Sequence, residues 1–264
     1  ATLDGFIITG GYANGAEWPD SEGAGMFNDG VSPTVRNCIF RDNVANRGSG
    51  GGASNREGAP VFVNCIFWNN EARHGSGGGM YNSLSTVTVT NCTFYDNGAA
   101  TEGGAMFNHS SSVFVTNCIL WGNLGGTISG STDVTYSDVE DEFDGTGNID
   151  EDPLFVDAEE GDFRLSLDSP CIDAGRDTSA ASFGNAKEDF AGNTRGFDAY
   201  EGEEPRGDGS DYDMGAFEEF QENHGPTASF RAETTVEAPL VIQFLDESTN
   251  GSEPIDEWRW TFGD

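Results

Sequence analysis

A repeat of about 27 residues is the feature that most restricts how this chain can fold. The pair Asn-Cys returns at 37/38, 64/65, 91/92 and 117/118, at intervals of 27, 27 and 26 residues. A glycine-rich element precedes each pair, and its closing asparagine keeps the same spacing, at Asn28, Asn55, Asn82 and Asn108. A fixed period of about 20 to 50 residues is typical of solenoids, propellers and repeat arrays.

The content of one repeat selects among these architectures. Each unit contains short β-branched and aromatic runs between Gly and Asn, and no stretch has helical periodicity. This pattern predicts an all-β fold, a right-handed parallel β-helix whose coils lie about 4.8 Å apart. We expect the β-helix to cover residues 1–221, with regular coils over 1–127 and an irregular, acidic part over 128–221.

Equivalent positions of successive repeats predict which side chains point inward. The positions three before and two after each cysteine are apolar, so we expect them to form the core: Val35, Phe62, Val89, Val115, Phe40, Phe67, Phe94 and Leu120. The cysteines share that inward phase, which predicts a buried column of free thiols at Cys38, Cys65, Cys92 and Cys118. A fifth cysteine, Cys171, lies outside the repeats.

Asparagines are expected at the corners of the coils. Asparagine tolerates left-handed backbone, and its amide can bond the equivalent amide of the next coil. One such structural ladder is predicted at Asn37, Asn64, Asn91 and Asn117, and a second at Asn43, Asn70, Asn97 and Asn123.

One outward column is rich in aromatic residues. The position three after each cysteine is occupied by Arg41, Trp68, Tyr95 and Trp121. Sugar rings could stack on such a ladder, and the arginine could bond hydroxyls or a carboxylate. Alternatively, a flanking loop, the acidic segment after residue 130 or another subunit covers this apolar strip.

The charge of the chain excludes some partners and suggests another. There are 46 acidic and 12 basic residues, a net charge of −34, and such a field repels nucleic acid. No apolar run approaches the ~20 residues that span a bilayer, so we expect no membrane insertion. Flexible acidic loops suit Ca²⁺, a candidate cofactor here, with two predicted sets of ligands: Asp208, Asp211 and Asp213, and Asp144, Asp150 and Asp152.

Motifs after the repeats carry a family resemblance. The segments DPLFVD (152–157), GDFRLS (161–166) and SPCIDAG (169–175), with DFAGNTR (189–195) and YDMGAFE (212–218), resemble the C-terminal part of bacterial β-helix repeat proteins of the choice-of-anchor type. Those proteins are secreted or surface-anchored. The resemblance therefore implies a bacterial, extracellular location.

A different pattern follows a predicted hinge at 222–226. Residues 227–264 resemble the first half of a PKD domain, an immunoglobulin-like module, and end in Trp258, Trp260, Phe262, Gly263 and Asp264. A β-sandwich needs about seven strands and ~100 residues, so this part is expected to be incomplete. Continuation of the chain or strands from a neighbour would complete the sheet.

The sequence contains no recognisable catalytic set, whether a Ser-His-Asp group, a nucleophile elbow or a phosphate loop. We therefore expect a non-catalytic extracellular protein with a structural or adhesive role. Its expected partner is a polysaccharide or cell-surface glycan, or copies of itself assembled head to tail. The alternative function is a polysaccharide lyase or glycoside hydrolase that acts in a groove along the β-helix.

Overall fold

The computed structural model describes residues 1–17, 19–184, 186–196 and 206–219 in full and the backbone of residues 230–234 and 242–246. The chain divides into two compact units, Ala1–Glu219 and Phe220–Asp264. Regular structure in these described parts consists of β-strands and two 3₁₀ helices, Ala158–Glu160 and Ala181–Phe183.

Six successive coils, each one turn of chain around a common axis, form the body of the first unit. Their strands, in chain order, are β1 (Thr2–Asp4), β2 (Ile7–Thr9) and β3 (Tyr12–Ala13); β4 (Met26–Asp29), β5 (Thr34–Arg36), β6 (Ile39–Arg41) and β7 (Val44–Ala45); β8 (Ala53–Arg56), β9 (Val61–Val63), β10 (Ile66–Trp68) and β11 (Glu71–Ala72); β12 (Met80–Ser83), β13 (Thr86–Thr90), β14 (Thr93–Tyr95) and β15 (Gly98–Ala99); β16 (Met106–Thr116) and β17 (Ile119–Trp121); and β18 (Ile128–Thr135) and β19 (Asp138–Val139).

Every strand of these coils pairs in parallel with its equivalent one coil away. The phenylalanine column shows the register, because Phe67 lies between Phe40 on one side and Phe94 on the other. The strands thereby build three parallel sheets that curl around the axis, with β16 continuous across two strand columns. The predicted parallel β-helix is confirmed.

The core lies inside the coils and consists of the predicted columns. Phe40, Phe67 and Phe94 stack with ring centroids 4.7 and 4.5 Å apart and with planes within 3°. Each stacked pair contributes about 0.5–1.5 kcal/mol of stability in addition to the contribution of its buried apolar area. The four repeat cysteines and Cys171 are buried free thiols, as predicted.

The two asparagine ladders differ from each other. The inner one is continuous, since Asn43 donates to Asn70 (2.9 Å) and Asn70 donates to Asn97 (2.9 Å). In the corner column all four residues have left-handed backbone, with φ of 50–52°. Only Asn64 donates along that column, to Asn37 (3.2 Å), because the later amides bond the chain after residue 174.

Parallel pairing continues past residue 127 into the part that is predicted to be irregular. Strand β18 pairs with β16, and β19 pairs with β17, so a sixth coil ends at Val139. Its period is shorter, because Leu120 lies opposite Val139, only 19 residues later, and the β16–β18 register shifts between Asn108 and Val113. The shortened turn removes the 27-residue spacing by which the other coils are recognised.

The chain after the coils returns along one side of them. We call residues 153–184, 186–196 and 206–219 the cover segment; it contains both 3₁₀ helices and the antiparallel strands β20 (Phe155–Asp157) and β21 (Asp162–Leu165). It packs on outward side chains next to the cysteines, such as Ile66 with Phe163 and Ile119 with Met214. Both isoleucines are almost fully buried, and the burial of each side chain stabilises the fold by about 1.5–3 kcal/mol.

In the second unit the structure describes one antiparallel pair, β22 (Phe230–Thr234) and β23 (Ile242–Asp246). The predicted hinge at 222–226 and the Trp-x-Trp-x-Phe-Gly-Asp motif at 258–264 lie outside the described residues. Among the parts that can be assessed, no helix has the length and apolar character to cross a membrane.

Candidate functional site

The predicted aromatic column lies on consecutive coils, and part of it contacts the cover segment. Arg41, Trp68, Tyr95 and Trp121 are direct neighbours in register. The ring of Phe163 lies 5.8 Å from that of Trp68 and 5.5 Å from that of Tyr95. Phe155 adds an edge contact to Tyr95 at 5.9 Å. Cover by the acidic segment after residue 130 therefore describes Trp68 and Tyr95, whereas Arg41 keeps 42% of its side chain exposed.

A buried ionic cluster fastens the cover segment to the coils. The Arg195 guanidinium is fully buried and donates to Glu218 (3.1 Å), to the Gly215 carbonyl (2.9 Å) and to the corner amide of Asn64 (3.4 Å). Burial, followed by the charge of Glu218, raises the pKa of Asp213. Breaking such a buried pair typically costs about 3–5 kcal/mol, so Arg195 is a structural anchor.

The predicted calcium ligands are not brought together. Asp213 is almost fully buried and accepts from the Asp173 and Glu219 amides, whereas Asp208 is exposed and accepts from Asp177 and Ser210. In the other set, Asp144, Asp150 and Asp152 are exposed, and the last two accept from nearby backbone amides.

The third residue of the first calcium set, Asp211, has left-handed backbone (φ 59°). Within the described ranges no group of three or more His, Cys, Asp or Glu side chains is placed to hold a metal ion. The described acidic residues of each set accept from different backbone amides, and the calcium sites stay a prediction.

A polar cleft of about 410 Å³ separates the first coils from the helix Ala181–Phe183. Its walls include Thr34 and Val61 on one side and Ser182 on the other. Arg36 donates across it to the Gly184 carbonyl (2.6 Å). The cleft thus forms part of the seam between coils and cover segment.

A second outward aromatic column lies on strands away from the contacts between the coils and the cover segment that are described above. It consists of equivalent residues of β4, β8, β12, β16 and β18: Phe27, Ser54, Tyr81, Phe107 and Ser129. The Tyr81 and Phe107 rings stack with centroids 5.6 Å apart and planes within 5°. We call this column, with the side chains that touch it, the open face.

Two carboxylates lie at the two sides of the aromatic pair. Ser54 donates to Glu22 (3.4 Å), and Ser129 donates to Glu102 (2.7 Å). The Glu22 side chain is half-buried, and this burial raises its pKa, while the bonds from Ser49 and Ser54 and the charge of Arg56 oppose the shift. Glu102 is exposed. The pKa of Tyr81 is also raised, first by burial and then by the nearby Glu22 charge.

The open face has a regular geometry along the helix axis. Ser54 and Ser129 are three coils apart, so their carboxylate partners are separated by roughly 14 Å at ~4.8 Å per coil. Sequence reasoning missed this face, although the signal was present. In three glycine-rich elements an aromatic residue precedes the closing asparagine, and in two of these a glutamate lies five residues before the aromatic residue.

The comparisons with known proteins concern the coils. Residues 26–141 match the family model of the right-handed β-helix region, which is a little under half of the chain. No curated protein and no solved structure matches the chain. Together with the parallel register of the curled sheets, this match defines the fold as a right-handed parallel β-helix. The matched stretch includes the whole aromatic column of the open face.

Proposed function

We propose that this chain is a non-catalytic extracellular module, a β-helical stalk that contacts carbohydrate along its open face and serves in surface attachment. The observation that carries the proposal is the open face itself, where the Tyr81–Phe107 pair lies between two serine–carboxylate pairs. Aromatic rings supply apolar contact area and carboxylates accept hydroxyl hydrogen bonds, and these are the two interactions that a sugar ring offers.

The rigidity of the body supports a stalk role. The coils are closed by in-register parallel pairing, a phenylalanine stack and a continuous asparagine ladder. The cover segment seals one side through the buried Arg195–Glu218 pair. Such an arrangement holds equivalent side chains at fixed spacing, so a repeating polymer can be matched along the axis.

Spacing argues against the hydrolase alternative. A glycosidase pair of carboxyl groups lies about 5 to 9.5 Å apart, whereas Glu22 and Glu102 are separated by roughly 14 Å along the axis. Another pair on the coils, Asp42 and Asp96, has Asn69 between its members, and Asn69 donates to Asp42 (2.8 Å). Binding without cleavage is therefore the favoured function.

The extracellular location rests on two resemblances of the sequence. The segments between 152 and 218 resemble the tail of surface-anchored β-helix proteins, and 227–264 resembles part of a PKD domain. The first resemblance is to proteins that are secreted or surface-anchored, and it supports an extracellular location.

The function is tested by incubating the protein with a panel of purified polysaccharides. Retention is measured by affinity electrophoresis, and cleavage by the release of reducing ends and of unsaturated products. Retention without product formation is expected. Turnover of any polysaccharide in the panel would replace the proposal by the enzyme alternative.

A further inference from the structure

We propose that the open face selects uncharged polysaccharides and binds a strand of several sugar rings along the helix axis, from the side of Glu22 to the side of Glu102. The inference rests on the proposed function and adds the class of partner, its direction and the residues that select it.

The residue sizes in the column create room beside the rings. Tyr81 and Phe107 cover each other on one face, while their other faces look toward the small residues Ser54 and Ser129. Ser54 is closed off, at 2% exposure, under the half-buried Glu22. On the other side Ser129 is half-buried and Glu102 is exposed, so a sugar ring can approach Phe107 from that side.

The carboxylates define the chemistry at the two ends. Ser129 occupies one oxygen of Glu102, Oε2, and the exposed carboxylate can accept further hydrogen bonds from ligand hydroxyls. Hydrogen bonds to an ionised acceptor are roughly twice as strong as neutral ones. Because the two ends are roughly 14 Å apart, a single sugar ring cannot reach both, and a longer strand can.

Charge excludes the anionic polymers. A uronate polymer would bring carboxylates to a face that already contains two, on a chain with a net charge of −34. The neighbouring cation, Arg56, is paired with Glu57 (3.3 Å). Arg56 offsets part of the Glu22 charge, but the carboxylates and the net charge of −34 still repel an anionic polymer, so selectivity for uncharged polymers follows from the charge of the chain.

The first experiment compares neutral and anionic polymers. Affinity electrophoresis is run with β-glucan, mannan and xylan backbones and with alginate and polygalacturonate, at low and at high salt. We expect retention by at least one neutral polymer and tenfold weaker retention or none by the anionic ones. No retention by any polymer would overturn the proposed function, whereas equal or stronger retention by the anionic polymers would overturn only the selectivity.

The second experiment locates the site by calorimetric titration with oligosaccharides of the best-retained neutral polymer. Phe107→Ala and Glu102→Gln are expected to lower the affinity at least tenfold and threefold, and Tyr81→Phe, which keeps the ring, to preserve it. The matched control is Phe114→Ala, which removes a 44% exposed aromatic residue from another part of β16. Circular dichroism melting confirms that each variant is folded.

The outcomes separate the parts of the inference. An affinity that rises with oligosaccharide length and then reaches a plateau supports binding along the axis. Equal affinity for the monosaccharide and the longest oligomer would contradict it. Loss of binding in Phe114→Ala together with full binding by Phe107→Ala would move the site away from the open face and overturn the assignment.

Discussion

Asp138 connects the last coil to the cover segment and gives a prediction about pH. Its side chain is fully buried; it accepts from the Cys171 thiol (3.2 Å) and from the Glu151 amide (3.2 Å). Burial raises its pKa from 3.8 to about 7, the bonds from Cys171 and Glu151 oppose the shift, and the charges of Asp150 and Glu151 add to it. The folded protein therefore retains a proton that the unfolded chain releases.

The sign and size of the effect follow from this difference. The stability associated with the bound proton is fully present below pH 3.8 and is lost as the pH rises through about 7. At about 1.4 kcal/mol per pKa unit, the shift lowers the free energy of unfolding by about 4 kcal/mol in total as the pH rises. About 3 kcal/mol of this decrease occurs between pH 5 and pH 8. Asp138→Asn is uncharged throughout, so its free energy of unfolding relative to the wild type should rise by that amount over the interval.

The assay is urea unfolding of wild type and variant between pH 5 and pH 8. The matched control is Asp133→Asn on β18, which removes the same charge from an exposed position. We expect the free energy of unfolding of the control, relative to the wild type, to change little between pH 5 and pH 8. A constant or decreasing difference for Asp138→Asn across this range would refute the assignment of a buried proton to Asp138.

Three further predictions concern the coils and their cover. Arg195→Ala leaves Glu218 buried without its cation, so urea titrations should show a loss of about 3–5 kcal/mol of stability. The cover segment should also become sensitive to protease. The control Arg73→Ala removes an exposed ion pair and should lower the stability by less than about 1 kcal/mol. Asn70→Ala interrupts the inner ladder, removes the bonds to Asn97 and to the Phe40 carbonyl, and takes away the buried acceptor of the Asn43 backbone N–H. A loss of stability on the order of 3 kcal/mol is therefore expected, and unchanged chemical denaturation would contradict this. Burial raises the thiol pKa of Cys92, so iodoacetamide should modify it only in the unfolded protein, as read by mass spectrometry; rapid labelling of the native protein would exclude a closed core.

The core could be predicted because each coil supplies the environment of the next. Phe67 packs between two phenylalanines that come from its own repeat position, and Asn70 bonds the equivalent asparagines on either side. The interactions therefore have the same period as the sequence. The same reasoning could have identified the open face, since Tyr81 and Phe107 also occupy equivalent positions.

The sites that depend on non-repeating contacts could not be predicted in this way. Acidic residues close together in the chain, such as Asp208 and Asp213, differ completely in burial. The sixth coil escaped recognition because its turns are shorter, although its strands pair in parallel like those of the other coils.

The sequence by itself determined the all-β class, the coil length, the inward columns and the left-handed corners, because all of these are relations between a residue and its equivalents one coil away. Only the tertiary structure decided which outward face is covered. The contact between Asn64 and Arg195 joins residues 131 positions apart, and no periodicity marks it. Which side of a solenoid is sealed depends on where a non-repeating segment can bury its apolar side chains and pair its buried charges, and that complementarity exists only between folded surfaces.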